Sequence, residues 1–121
     1  MTVYKPDRWV LLHVTGDHPD LPIYKVLGGW SGGYLDGDSW RINSGVVSVD
    51  QEEYGDVLLF HGQSGSTYRC HRRSYGLSVI MAGGLNRFSE LARRYGWDVR
   101  LVEEDEVDVS LSVIDKVKEE K

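Results

Sequence analysis

The chain has 121 residues, 40% of them hydrophobic and 27% charged, with a net charge of −5. That balance fits one folded domain around a single core and excludes an extended, self-repelling disordered chain. A sequence isoelectric point near 5.3 also disfavours duplex DNA as a partner, because a protein that grips the phosphate backbone needs a basic face.

The charge is unevenly spread. Residues 1–100 carry 11 Lys/Arg and 11 Asp/Glu, whereas residues 101–121 carry 3 basic and 8 acidic residues, so the whole excess sits in the last segment. The expected organisation is therefore a globular region, 1–102, followed by an acidic segment, 103–121, packed on the same domain. No apolar run reaches the roughly 18 residues of a membrane-spanning helix, and the first residues lack the apolar core of a secretory signal. The expected setting is cytoplasmic, with no membrane partner. The single cysteine, Cys70, has no internal partner for a disulfide.

Taken in chain order, Arg8 to Val14 (R-W-V-L-L-H-V) is a short β-forming run bounded by Pro6-Asp7 and by Thr15-Gly16-Asp17, which predicts a buried strand. The segment His18 to Pro22 predicts a turn, since its prolines fix φ and hold the preceding residues out of the helical region. Ile23 to Leu27 predicts a second strand, paired with the first as a hairpin. Gly28 to Gly45 then holds six of the fourteen glycines, together with Trp30, Tyr34, Trp40 and Arg41. Permissive backbone beside rigid aromatic faces describes a recognition loop.

Ser39 to Val49 predicts a strand with Trp40, Ile42, Val47 and Val49 on one side, interrupted at Gly45 by a β-bulge. An acidic turn, Asp50 to Asp56, leads into a strand from Val57 to His61. A tight turn over Gln63 to Ser66 returns the chain as a strand from Thr67 to His71. Leu77 to Ala82 reads equally as a helix or a buried strand, set apart by Gly83-Gly84. Phe88, Leu91, Ala92 and Tyr95 keep helical spacing, and with Asn86 as N-cap and Gly96 as stop they predict the main helix near residues 86–95. Trp97 to Val102 predicts another strand. Residues 107–118 satisfy both periods, with Val107, Val109, Leu111 and Val113 alternating while Leu111, Ile114 and Val117 keep helical spacing. Strands first and a helix later predict an α+β domain, with an antiparallel or mixed sheet of about five or six strands.

Several constellations bear on chemistry. Gly29-Trp30-Ser31-Gly32-Gly33 matches the G-x-S-x-G nucleophile elbow in letters, but the motif requires a strand-to-helix turn, and the residues that follow are turn-like. Asp36 and Asp38 flank Gly37 as a hairpin turn would, without the further ligands of a calcium loop. The four histidines, at 13, 18, 61 and 71, lack zinc-ligand spacing. His61 and His71 are expected to face each other across the 63–66 turn, and Cys70 to be a buried, inert thiol. No catalytic residue, metal or cofactor is assigned.

The one basic concentration is Arg69-Cys70-His71-Arg72-Arg73, flanked by Tyr68 and Tyr75. Arginine forks grip phosphate and stack on aromatic planes. The expected ligand-binding set is Trp30, Tyr34 and Trp40 for stacking and Arg41, Arg69, Arg72 and Arg73 for charge, provided that Arg69 to Arg73 meets Gly28 to Gly45 in space. The structural alternative is that these arginines pair with the acidic 50–56 turn or with the acidic C-terminal segment. Neither a dinucleotide-binding nor a P-loop glycine motif is present.

Residues 29–45, G-W-S-G-G-Y-L-D-G-D-S-W-R-I-N-S-G, resemble small uncharacterised proteins encoded by tailed bacteriophages. The resemblance covers about seventeen positions and implies an accessory phage protein that acts by binding in the host bacterial cytoplasm, as in counter-defence. The function expected is a non-enzymatic protein that captures a small anionic, nucleotide-derived ligand, with a homo-oligomer as one way to deepen the pocket. Inhibition of a host protein through the Gly/Trp loop is the alternative. A small hydrolase using His61, His71 or Asp38 is the second alternative.

Overall fold

The computed structural model describes residues 2–33 and 37–120, and within them eight strands and two helices form an α+β fold. Strand β2 (Arg8–Thr15) sets the layering. Its Trp9, Val10, Leu11, Leu12 and Val14 are all buried, so both of its faces are covered, as its unbroken apolar run demands. It lies inside an antiparallel sheet of order β4-β3-β2-β8, with β3 (Ile23–Gly33), β4 (Gly37–Ile42) and β8 (Asp98–Leu101). A second sheet has the order β1-β7-β6-β5, built from β1 (Val3–Tyr4), β5 (Val46–Glu52), β6 (Val57–Gly62) and β7 (Thr67–His71). In this sheet β1 joins β7 in parallel and the other pairs are antiparallel.

The alternation of side chains along β2 divides the interior in two. Trp9 and Leu11, with Val26 of β3, face Leu58, Phe60, Tyr68 and Cys70 of the second sheet. Helix α2 (Val107–Glu120) closes that core with Val107, Leu111 and Ile114 and packs along β5. Val10, Leu12 and Leu27 point the other way, onto Met81 of helix α1 (Val79–Arg94). Hydrogen bonds lock the layers together. The Trp9 indole N–H donates to the His71 carbonyl at 2.6 Å. The Tyr75 hydroxyl accepts from the Leu11 N–H at 3.1 Å and donates to the Val102 carbonyl. Burial there pushes the Tyr75 phenol up to about 12.

The predicted strand at 8–14, the hairpin with 23–27, the 57–61 and 67–71 strands with their turn, and the strand after Gly96 are all present. The class is α+β, but the strands divide between two four-stranded sheets. The division occurs where a single strand was expected, between Ser39 and Val49. Asn43, Ser44 and Gly45 carry the chain from β4 in the first sheet to β5 in the second, with Gly45 at φ 139°. A register shift between Val46 and Ser48 follows. Trp40 and Ile42 therefore face α1, whereas Val49 enters the core between the sheets and Val47 is exposed.

Helix α1 also begins earlier than the sequence suggests, at Val79 rather than after Asn86. Ser78 caps it, its hydroxyl accepting from the Met81 N–H. Gly83 and Gly84 lie inside it because α1 packs closely on the sheet, and any Cβ at Gly84 would run into the Trp40 indole. The same contact operates from the other side: a Cβ at Gly29 would meet the Met81 side chain at 2.5 Å. Residues 28–33 are strand rather than loop; Gly29 makes room for the helix, whereas a Cβ at Gly28 would meet Pro6 on the other face. The last segment resolves as helix, since Val107, Leu111 and Ile114 are buried while Val109 and Val113 are exposed.

Candidate functional site

Pairing of β3 with β4 decides where the aromatic residues of the glycine-rich stretch go. Trp30 lies opposite Ser39, and Arg41 lies opposite Gly28, which puts Trp30 and Arg41 on the face turned toward the second sheet. There the Trp30 indole donates to the Lys5 carbonyl at 3.1 Å and meets Tyr4 edge-on, while the Arg41 guanidinium lies 4.7 Å over the same Tyr4 ring. Trp40 lies opposite Gly29 and so faces α1, on the other side of the sheet. Tyr34 lies outside the described residues.

The basic segment is used elsewhere. Arg69 projects from the outer face of the second sheet, 3.5 Å from Glu52 and 3.6 Å from Glu53, with one guanidinium nitrogen 3.3 Å from the His71 imidazole. Arg72 pairs with Asp108 of α2 at 2.9 Å and donates to the Gly55 carbonyl. Arg73 borders a small cleft of about 220 Å³ with Glu53, Asp56, His71 and Arg72. The acidic turn and the acidic segment thus occupy Arg69 and Arg72, and Arg69 to Arg73 does not join Trp40. The six described residues of the expected set fall in separate places. Trp30 and Arg41 share one of them, the three arginines of the basic segment another, and Trp40 stands apart from both.

Trp40 does stand in a groove, formed where α1 crosses the open side of β3 and β4. Its volume is about 690 Å³, within the range of small-molecule sites. Two aromatic faces, Trp40 and Phe88, and three cations, Lys25, Arg87 and Arg94, line it. Each arrives by simple geometry. Lys25 pairs with Leu12, so it shares the α1-facing side of the sheet with Leu27. Arg87, Leu91 and Arg94 recur at i, i+4 and i+7, one stripe of α1. The Lys25 ammonium lies 5.8 Å from the centre of the Phe88 ring.

The electrostatics favour an anion. Lys25 donates to the Asn43 and Ser44 carbonyls, at 3.2 and 2.9 Å, which leaves one of its three N–H groups for another acceptor. Its partial burial lowers the ammonium pKa from the usual 10.5. Among the described residues neither Arg87 nor Arg94 forms an ion pair. One carboxylate, Glu90, reaches the rim and offsets one of the three positive charges. No histidine, cysteine or hydroxyl lines the groove among the described residues.

The histidines suggest catalysis only on paper. His61 hydrogen-bonds Thr67 at 3.0 Å through Nδ1 and Asp50 at 2.8 Å through Nε2, an order that imitates a nucleophile, base and acid. Thr67, however, is buried at the first position of β7, where it pairs with β1 on one side and β6 on the other. The expected facing pair of His61 and His71 is corrected by the register: His61 lies opposite Thr67 and His71 opposite Val57, at opposite ends of the β6–β7 ladder. Ser31 lies in β3, and its N–H donates to Asp7, so the strand-to-helix turn of a nucleophile elbow is missing. Cys70 is fully buried and burial raises its thiol pKa. No cluster of three or more metal-ligating side chains occurs among the described residues, and no helix is long and apolar enough to cross a membrane.

Lys25, Arg87, Phe88 and Arg94 were not singled out by the sequence. The available signal was the i, i+4, i+7 spacing of Arg87, Leu91 and Arg94, which becomes a stripe facing β4 only once the position of α1 on the sheet is known. No family model matches the chain, and neither a curated protein nor a solved structure matches it.

Proposed function

We propose that this protein is a non-enzymatic binding protein that captures a small anionic, nucleotide-like ligand in the groove between α1 and the β3–β4 pair. The observation that carries the reading is the convergence of Lys25, Arg87 and Arg94 around the Trp40 and Phe88 rings. Guanidinium groups without carboxylate partners suit phosphate oxygens, and aromatic faces suit a flat heterocycle. The phage resemblance of residues 29–45 gives such a protein its setting. In the cytoplasm of an infected cell it would sequester a signalling nucleotide before a host defence could read it. The alternative of an aromatic hot spot for a host protein draws less support, because Trp30 and Trp40, both partly buried, face opposite sides of the sheet and do not form one aromatic patch.

Thermal-shift and calorimetric titrations with nucleoside mono-, di- and cyclic phosphates test the reading. At least one class should stabilise the protein at high micromolar concentration. Arg94→Ala should weaken its binding by about tenfold or more, the usual worth of a charged hydrogen bond. Arg72→Ala, on the other side of the molecule, should leave it unchanged. If no nucleotide stabilises the protein, or if Arg72→Ala rather than Arg94→Ala abolishes binding, the groove is not the site.

A further inference from the structure

A second hollow, of about 350 Å³, adjoins the cationic groove, and Trp40 and Arg87 line both. The two are neighbouring lobes that share the Trp40 and Arg87 side chains. Their chemistry differs. The first lobe is ringed by Lys25, Arg87 and Arg94, whereas the second is walled by Val79, Ile80, Trp40 and the bare backbone of Gly83, with Asp38 as its carboxylate.

Gly83 is the informative residue. Glycine in the middle of a helix is destabilising relative to alanine, and is normally retained where something packs against it. That reason holds for Gly84, which lies under the Trp40 ring, but not for Gly83, where an added Cβ would meet nothing within 4 Å. The α1 backbone there is an open shelf, level with the indole, at the floor of the second lobe. Val79, one turn earlier on the same stripe, is almost completely exposed at its edge. Asp38 is held by the Gly32 N–H, which donates to Oδ1 at 2.6 Å, and Oδ2 accepts from no group among the described residues.

We infer that the two lobes together take a nucleoside phosphate in one orientation, with phosphates between Lys25, Arg87 and Arg94 and the base laid on the Gly83 shelf beside Trp40. Asp38 fixes the polarity. Its carboxylate repels phosphate from the second lobe and accepts from a ribose hydroxyl or an exocyclic amine, which a nucleoside has and inorganic phosphate lacks. The inference rests on the anion-binding reading of the first lobe and adds to it the ligand class and the way the ligand lies.

Calorimetry with inorganic pyrophosphate and with ADP, GDP, CDP and UDP separates the two claims. The wild-type protein should bind at least one nucleoside diphosphate about tenfold or more tightly than pyrophosphate, the increment expected of base stacking. A Cβ at Gly83 meets nothing within 4 Å, so Gly83→Leu projects into the shelf from open space and should fold at least as stably as wild type. It should also bring the nucleotide down to pyrophosphate affinity and leave pyrophosphate unchanged. Asp38→Asn should weaken nucleotide and not pyrophosphate, and Arg94→Ala should weaken both. Pyrophosphate binding with no gain from any base, or nucleotide affinity unaltered in Gly83→Leu, overturns the second lobe and leaves the anion groove standing. Binding of neither pyrophosphate nor nucleotide overturns both.

Discussion

Two sets of arginines on opposite sides of this molecule meet opposite fates. Arg69 and Arg72, close together in sequence, project from the second sheet and its trailing turn into a field of carboxylates, where Glu52, Glu53 and Asp108 pair with them. Arg87 and Arg94, seven residues apart on α1, converge with Lys25 from β3 over a groove that contains a single glutamate. Linear clustering of charge is cheap for a chain to neutralise, because a neighbouring strand or turn can bring opposite charges alongside. Convergence from separate elements is set by packing, and it leaves charge available to a ligand.

The sharpest way to break this contrast is a pair of double substitutions. Arg87→Ala with Arg94→Ala should cost nucleotide affinity about 3–6 kcal/mol, two charged hydrogen bonds, and so erase binding in calorimetry. Arg69→Ala with Arg72→Ala should leave affinity within about twofold while lowering stability by at most about 1 kcal/mol for each surface pair. Equal losses of affinity in the two doubles would remove the distinction between the sets.

A smaller effect is expected from the glycines that shape the groove. Gly84→Leu forces its side chain into the Trp40 indole and should destabilise the fold by about 1–3 kcal/mol, as overpacking does, with a matching fall in Tm. Its neighbour should respond in the opposite sense. Gly83→Ala adds a methyl group in open space and should raise stability by about 0.5–1 kcal/mol.

The smallest effects are those of pH. Burial lowers the Lys25 pKa from 10.5, so its ammonium is present below that lowered value and lost as pH rises through it. Ligand affinity should therefore decline at a pH below that at which an exposed lysine titrates, and Lys25→Met should abolish this alkaline limb while weakening binding throughout. On the opposite side of the sheet, His13 stacks on Tyr24 at 4.5 Å. Burial, and then the Arg100 charge, lower its pKa from 6.5. Because the unfolded chain takes up that proton first, stability is full above pH 6.5 and falls as pH drops toward the folded pKa. His13→Gln should flatten that part of a denaturation series, leaving nucleotide binding at neutral pH untouched.

Much of the fold was legible because local patterns agreed with burial. The unbroken run Trp9 to Leu12 announced a strand covered on both faces, and Gly96, at φ 75°, ended α1 where expected. The start of α1 was not legible, since Gly83-Gly84 reads as a break until Trp40 is seen lying over Gly84. The split between β4 and β5 was equally hidden, because the break in alternation at Gly45 reads as a β-bulge within one strand while the strands belong to different sheets. Of the residues that line the groove, the sequence singled out Trp40 and the idea of cations beside aromatics, but the cations it named, Arg69, Arg72 and Arg73, lie elsewhere. Pairing of these arginines with the acidic turn or the acidic C-terminal segment was the other reading the sequence offered, and only the fold, which brings Glu52, Glu53 and Asp108 alongside Arg69 and Arg72, decides for it.

By itself, then, the sequence determined the α+β class, most of the strands, and an inventory of rings and charges without a phosphate-loop motif. Only the tertiary structure decided which charges remain available. Pairing of Trp40 with Gly29 turns the indole toward α1, and the close approach of Met81 and Gly84 fixes how α1 lies across the sheet. Those are contacts between distant residues, and no local pattern encodes the face on which two distant charges will meet.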